Sequence, residues 1–440
     1  MYNIEDAKII GITGQVGKTS TAILLHEYLK SIGRKSIIYS SGLIDSPANA
    51  NIKTNNCLQN LTFGNEFQIA NILNEAIAYE AEYIIIECWE SSIFLGCFDS
   101  VPFDLKVLTK LFGTGDCILS GDELFERKLN FFKNEEFAKC LINIKGCYEN
   151  KINEFISRAN MKDFTLFDTT LDFNLSSKAQ YINWFNNDAG TRKLVDSGYK
   201  AEDIKYYGLN NVESLDEQSL DIVVNKDIVP IKTNLITQRH LENIITVAAI
   251  LNELNDFDAE SFKNFISDED LIIPGRMEKI EWNDRTIIID MESDSCLRMC
   301  KKLGNGRPIK VVDAQHITHS ILDEEFKENY HTKLHTANKW SYAPKITNEF
   351  ADYVYITVDN VGDESVEAVL SEYEKRSTIP HSSFENRADG IKTALLESEP
   401  NDIICIVGRG NSTIQARSYN DIILYNDKDV VMKFIDILSD

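Results

Sequence analysis

Ten residues near the start of the chain, Gly11-Ile12-Thr13-Gly14-Gln15-Val16-Gly17-Lys18-Thr19-Ser20, have the types and spacing to hold a phosphate. Lys8–Ile12 is a short apolar run that reads as a buried strand, and a helical period starts at Lys18 and runs to Ser31. The glycines therefore fall in a turn between strand and helix. Glycine lets backbone N–H groups approach phosphate oxygens, and a helix N-terminus favours the anion. Thr13, Gly14, Gly17, Lys18, Thr19 and Ser20 are accordingly the expected nucleotide-binding residues. Lys18 would span the β- and γ-phosphates of ATP, and the Thr19 hydroxyl would hold Mg2+. The usual phosphate loop has a glycine where Ile12 stands; here glycines 11, 14 and 17 recur every three residues, so this is a variant. Glu87 ends the apolar stretch Tyr83–Glu87 (YIIIE), where such a sheet presents a carboxylate to the metal. Taken alone, a strand-terminal acid is as readily a solvated one.

The elements that must position these residues alternate. Ser36–Tyr39 reads as a second short strand, Glu66–Tyr79 as a helix by period, and Tyr83–Glu87 as a third strand. Apolar strands separated by helices predict a mostly parallel sheet covered on both faces. From about Lys133 to Gln238 the pattern is irregular and rich in Asn and Asp, with helices near Ile152–Arg158 and Ala179–Asn186 and little else marked. His240–Leu254 is again a clear helix, followed by Asp258–Phe265. Beyond Glu278 a new block carries strands at Thr286–Asp290, Ile309–Asp313, Tyr353–Asp359, Ile403–Val407 and Asp421–Tyr425, with helices between. The expected fold class is α/β, with a central P-loop ATPase domain over residues 1–277 and a smaller Rossmann-like α/β domain over 278–440.

Charge narrows the partners. The 440 residues include 45 basic and 69 acidic ones, a net charge of −24, which argues against a nucleic-acid or anionic-membrane surface. No apolar stretch approaches the roughly 20 residues needed to cross a bilayer. The opening MYNIEDAKIIGITG lacks the basic flank and small-residue cleavage site of a secretory signal. Nine scattered cysteines without CxxC pairs fit a reduced, cytoplasmic protein. Cys296 and Cys300 would share a helix face, but no second pair lies near them in sequence to complete a zinc site. His316 with His319, and His331 with His335, read as polar loop pairs rather than ligands, and Trp89 and Trp282 as core or cleft-wall aromatics.

The variant turn TGQVGKTS resembles the ATP-binding turn of the Mur ligases, which build the peptide of cell-wall precursors. Three further segments, in order, carry the resemblance. Arg239-His240-Leu241-Glu242-Asn243 before Val247-Ala248-Ala249 is similar to the family's adenine-side helix, which implies that Asn243 contacts the base. Pro274-Gly275-Arg276-Met277-Glu278 is very similar to PGRME at the end of the family's central domain, where the arginine reaches the nucleotide phosphates. Asn386-Arg387-Ala388-Asp389-Gly390-Ile391, Asp402-Ile403-Ile404 and Gly408-Arg409-Gly410 resemble blocks of the UDP-N-acetylmuramyl-tripeptide synthetase branch. The same resemblance puts Asp290 at the ribose. It makes Asp359, Asn360, Arg387 and Arg409 contacts to the incoming substrate. Lys128 matches the lysine that the family carbamylates to hold a second Mg2+, although by itself it reads as an ordinary surface helix residue.

Departures from the pattern are as informative. Only about ten residues precede the turn, which implies that the domain gripping the UDP-sugar is lacking. The family's metal-binding histidine is replaced within Phe112–Cys117, DYAHxP reads Asp290-Met291-Glu292-Ser293-Asp294-Ser295, and DNPR reads Asp359-Asn360-Val361-Gly362. GKGHE reads Gly408-Arg409-Gly410-Asn411-Ser412, a cation of different geometry.

The resemblance therefore implies an ADP-forming ligase that uses ATP and Mg2+ to join a small-molecule acid to an amino acid or other amine through an acyl phosphate. Lys18, Glu87 and Lys128 would carry the chemistry, and Thr19, Glu87 and Lys128 the metal. Its substrates would belong to a specialised pathway rather than peptidoglycan synthesis, and it would work as a monomer or homodimer. The alternatives are a non-catalytic Mur-like nucleotide-binding subunit and a small-molecule kinase or ATPase, since a P-loop alone does not specify ligation.

Overall fold

The structure, a computed structural model, describes residues 7–41, 43–45, 66–111, 121–133, 138–145, 151–171, 175–188, 191–315, 342–359, 361, 365–418 and 421–439. They fall into two compact units that meet in sequence between Leu271 and Ile272.

The first unit is built on a seven-stranded sheet: β1 (Lys8–Thr13), β2 (Ser36–Tyr39), β3 (Ile44–Asp45), β4 (Tyr83–Glu87), β5 (Leu105–Leu108), β6 (Lys139–Asn143) and β7 (Phe164–Phe167). Their order is β3-β2-β4-β1-β5-β6-β7, parallel except at the β2–β3 edge. β1 and β4 are central, and every residue of β4 is buried, which explains a run as apolar as Tyr83-Ile84-Ile85-Ile86. All the parallel strands end on one edge, bringing Thr13, Glu87, Leu108 and Asn143 to the same rim. Phe98, Phe103, Phe131, Phe132 and Phe155 interlock beneath, mostly edge to face.

The irregular middle of the chain is more ordered than its composition suggested. β6 and β7 extend the main sheet, and β8 (Tyr206–Val212), β9 (Gln218–Val224) and β10 (Asp227–Thr233) form a separate antiparallel meander in the order β10-β9-β8. The helix Gln238–Glu253 packs on that meander and on the helix Lys18–Ser31.

The second unit holds a six-stranded sheet of β11 (Glu278–Trp282), β12 (Arg285–Asp290), β13 (Ile309–Gln315), β14 (Tyr353–Val358), β15 (His381–Ser383) and β16 (Ile403–Val407). The order is β11-β12-β16-β13-β14-β15, parallel except for β11. The expected last strand does not join this sheet. Asp421–Leu424, β18, pairs with β17 (Ile414–Ser418) in a two-stranded ribbon. Among the described residues no helix is long and apolar enough to cross a membrane.

Candidate functional site

The glycine turn leaves the rim end of β1. Gly14 (φ 142°) and Gly17 (φ 87°) both take backbone conformations that a side chain disfavours. Space is closed as well: a Cβ on Gly14 would lie 2.2 Å from Thr109 Oγ1, and one on Gly17 2.6 Å from Asn243 Oδ1. Gly11 serves differently. It lies inside β1, where a Cβ would meet the rings of Phe103 and Phe131 at 2.7 and 2.8 Å. The periodic glycines are thus one packing residue and two turn residues. The end of β5 holds the turn in place, because Thr109 donates its hydroxyl to the Val16 carbonyl (2.6 Å) and the Lys110 carbonyl accepts the Gln15 amide (2.8 Å).

Gly17 caps the helix Lys18–Ser31 without a side-chain hydrogen bond, and the first helical turn contains no acidic residue. No acidic side chain of the helix itself therefore offsets the positive end of its dipole. Ser20 is buried in the same turn. The Thr13 hydroxyl, also buried, has no hydrogen-bond partner among the described residues. Both features suit an anion with oxygen acceptors seated against the turn.

The Thr19 hydroxyl donates to Glu87 Oε1 at 2.9 Å. The other oxygen of Glu87 accepts from the Ser40 hydroxyl (2.8 Å) and the Ser41 amide (2.9 Å), so a fully buried carboxylate is fixed at the rim. Hydroxyl and carboxylate oxygens are hard donors suited to Mg2+. Lys18 Nζ donates to the Gly14 carbonyl (2.6 Å), lies 3.7 Å from Glu90 Oε1, and stands 5.2 Å from the Trp89 ring centroid. Trp89 is therefore a wall beside the lysine.

Lys128, on the helix Gly121–Phe132, is completely buried rather than a surface residue. Its Nζ donates to Gln15 Oε1 at 3.0 Å and lies 3.6 Å from the same Glu90 oxygen. Turn, Lys128 and Glu90 are thus one cluster. Sequence reasoning missed Glu90, although it stands three residues after Glu87 beside Trp89. Asn243 lies against the turn, its Oδ1 3.4 Å from the Thr21 hydroxyl, while its neighbour Glu242 accepts from Lys145 Nζ at 2.7 Å.

In the second unit, the Pro274–Glu278 turn meets the loop after β16 and the end of β12. A Cβ on Gly410 would lie 2.8 Å from Arg276 Nη1 and 3.3 Å from Met291 Cβ. Asp290 is buried there and accepts the Met291 amide at 2.8 Å. Asp359, at the end of β14, forms a buried ion pair with Arg409, whose guanidinium stands 5.3 Å from the Tyr425 ring centroid. Arg387 does not fit the expected substrate role. It is fully buried, gripped by both oxygens of Asp427 at 2.8 Å, and it donates to the Thr357 hydroxyl (2.8 Å) and the Val407 carbonyl (3.0 Å). A buried guanidinium with four of its five donors so engaged is a structural anchor of the second unit. Asn360, Gly362, the segment Phe112–Cys117, and His316, His319, His331 and His335 lie outside the described residues. Two clefts, of about 520 and 360 Å³, open at Pro344–Arg376 and Phe164–Lys205, and neither is lined by the residues above.

A glycine turn at the rim of a parallel sheet, opening a helix beside a lysine, a hydroxyl and a fixed carboxylate, defines an α/β protein of the P-loop class. Residues 12–175 match the Mur ligase middle domain. The chain is 23% identical over 445 residues to the UDP-N-acetylmuramoyl-L-alanyl-D-glutamate–2,6-diaminopimelate ligase 1 of Clostridium acetobutylicum, covering 97% of this chain and 78% of that protein. It is also 23% identical to the corresponding ligase of Prochlorococcus marinus, covering 97% and 77%. Among solved structures, a UDP-N-acetylmuramoyl-L-alanyl-D-glutamate–2,6-diaminopimelate ligase is similar at a TM-score of 0.57 and 17% identity, over 99% of this chain and 79% of that one. The MurF ligase of Thermotoga maritima, solved with ADP, is similar at 0.56 and 14%, over 98% and 80%. Residues 12–175 thus match a Mur ligase middle domain, and over nearly its whole length the chain is similar to Mur ligases in sequence and in fold.

Proposed function

We propose that this chain is an ATP-dependent, ADP-forming ligase that joins a small-molecule carboxylate to an amino acid or other amine. The observation that carries the reading is the Thr19–Glu87 hydrogen bond of 2.9 Å, made at the mouth of an uncapped helix N-terminus beside Lys18. That arrangement suits a nucleotide triphosphate with its Mg2+ held by Thr19 and Glu87. Bound ATP would supply the phosphoryl group that turns the acid into an acyl phosphate open to attack by the amine.

The protein's part is positioning and charge neutralisation. Backbone from Thr13 to Ser20 cradles the phosphates, Lys18 offsets their charge, and Glu87, fixed by Ser40 and Ser41, orients the metal. Lys128 adds a second charge at the same rim. Asn243 would stand on the adenine side within this reading. Residues 1–277 would form the ATP-binding domain and 278–440 the domain that receives the amine. There the resemblance would give Asp359 and Asn360 to the substrate, with Arg409 holding Asp359 in place.

The substrates would differ from those of peptidoglycan assembly. The DNPR and GKGHE blocks have become Asp359-Asn360-Val361-Gly362 and Gly408-Arg409-Gly410-Asn411-Ser412, changes that spare the phosphate turn and fall on acceptor contacts. ADP release tests the reaction: multiple turnovers must require both an acid and an amine, and Lys18→Ala must abolish them. Release with a single acceptor would instead mark a kinase. Turnover of UDP-MurNAc-dipeptide with an amino acid at an ordinary enzyme rate would refute the specialised pathway.

A further inference from the structure

The helix Ser293–Leu303 carries Cys296 and Cys300 four residues apart, so both thiols project from one face. That face meets Cys405 in the middle of β16, a strand flanked by β12 and β13. The sulfur atoms of Cys300 and Cys405 are 3.5 Å apart, and all three sulfurs lie within 4.8 Å of one another. Each residue is fully buried. The pair that the sequence left incomplete thus acquires its third member from a strand more than a hundred residues away.

Single buried cysteines pack as small apolar groups, and Cys97 and Cys140 are of that kind. Three sulfurs from two elements around one point are a different arrangement. Thiolates bound to one ion at about 2.3 Å stand roughly 4 Å from one another, which matches this cluster.

We propose that Cys296, Cys300 and Cys405 form a three-thiolate site for a soft monovalent cation of the Cu(I) type, which ties the helix to the core of the second unit. Donor chemistry selects the ion. Among the described residues no histidine or carboxylate joins the cluster, and all three cysteines are buried. A structural zinc site needs four ligands and a catalytic one an open position, whereas all-sulfur, three-coordinate surroundings suit Cu(I). Each ligating thiol releases its proton to solvent and donates a sulfur lone pair. The copper enters as Cu(I), so no oxidation state changes.

The purified full chain is titrated anaerobically with Cu(I) held by bicinchoninate. The expected result is one ion withdrawn per chain, an X-ray absorption spectrum fitted by three sulfurs, and a higher unfolding temperature on loading. Cys296→Ala and Cys300→Ala should each weaken binding by more than about a hundredfold, whereas Cys97→Ala and Cys140→Ala leave it unchanged. Circular dichroism identifies any variant that fails to fold. Cys296→Ala, on the helix rather than in the central strand, is the more permissive substitution. Failure to compete with bicinchoninate, retention of the ion by both variants, or a spectrum that requires nitrogen or oxygen ligands would each overturn the proposal.

Discussion

Glu90 Oε1 lies 3.6 Å from the ammonium group of the fully buried Lys128. The same oxygen is 3.7 Å from Lys18, so one carboxylate stands between the lysine of the phosphate turn and the lysine packed against it. Replacing Glu90 with Gln would leave two neighbouring ammonium groups uncompensated. Removing one partner of a buried ion pair costs more than the pair is worth, here roughly 1–3 kcal/mol. We expect Glu90→Gln to lower the unfolding temperature without nucleotide, and ATP with Mg2+ to restore much of the loss as phosphate charge takes over the role. Calorimetry with and without ATP checks this. An equal deficit in both conditions would separate Glu90 from the phosphate site.

Gly17 and Gly33 have similar positive φ angles, 87° and 79°, in different surroundings. A Cβ on Gly33 meets nothing within 4 Å, while one on Gly17 runs into the Asn243 side chain. Gly33→Ala should therefore cost only the backbone term of about 1 kcal/mol, with nucleotide binding intact. Gly17→Ala adds a steric displacement at the turn itself, for a total of about 1–3 kcal/mol, and should abolish ATP binding. Urea unfolding and nucleotide titration on both variants distinguish strain from clash.

The phosphate turn was legible because its chemistry is local. Strand, glycines, lysine and hydroxyl lie within about a dozen consecutive residues, and the helix Lys18–Ser31 has the bounds its period implied. Glu90 was not legible, because its role depends on Lys128 being brought inward by a helix whose buried side the sequence did not reveal. The antiparallel meander was hidden for another reason. β10, Asp-Ile-Val-Pro-Ile-Lys-Thr, alternates exposed and buried positions over only part of its length and contains Pro230, which an edge strand tolerates. Arg387 was misplaced because motif likeness gives position along the chain but not burial. Its partner Asp427 lies forty residues on, outside the matched block.

That pairing makes a direct test. Arg387→Met alone would strand a buried carboxylate and should cost about 3–5 kcal/mol. Arg387→Met combined with Asp427→Leu removes both charges and should recover most of that loss. Thr357 still donates to the Asp313 carbonyl at 2.8 Å, so it is not orphaned in either variant. If Arg387 instead gripped substrate, the double variant would remain defective in KM while being stable. A stable double variant with unchanged KM is the expected result.

A hydrogen bond from the His26 ring holds the Asp45 carboxyl well below the usual carboxylate range, burial opposes the effect, and Lys30 adds to it at 2.7 Å. A carboxyl whose pKa is lower in the folded state binds fewer protons there than in the unfolded chain, so it stabilises the fold above the unfolded value. That contribution is complete above about pH 5 and declines as the pH falls from about 4 toward the folded pKa. Asp45→Asn should therefore be less stable than the wild type at neutral pH, with the gap closing on acidification, in urea unfolding followed from about pH 6 to 3. Partial exposure of the Asp45 side chain keeps the gap modest. A gap that widened in acid would reverse the sign and remove the His26–Asp45 bond as its cause.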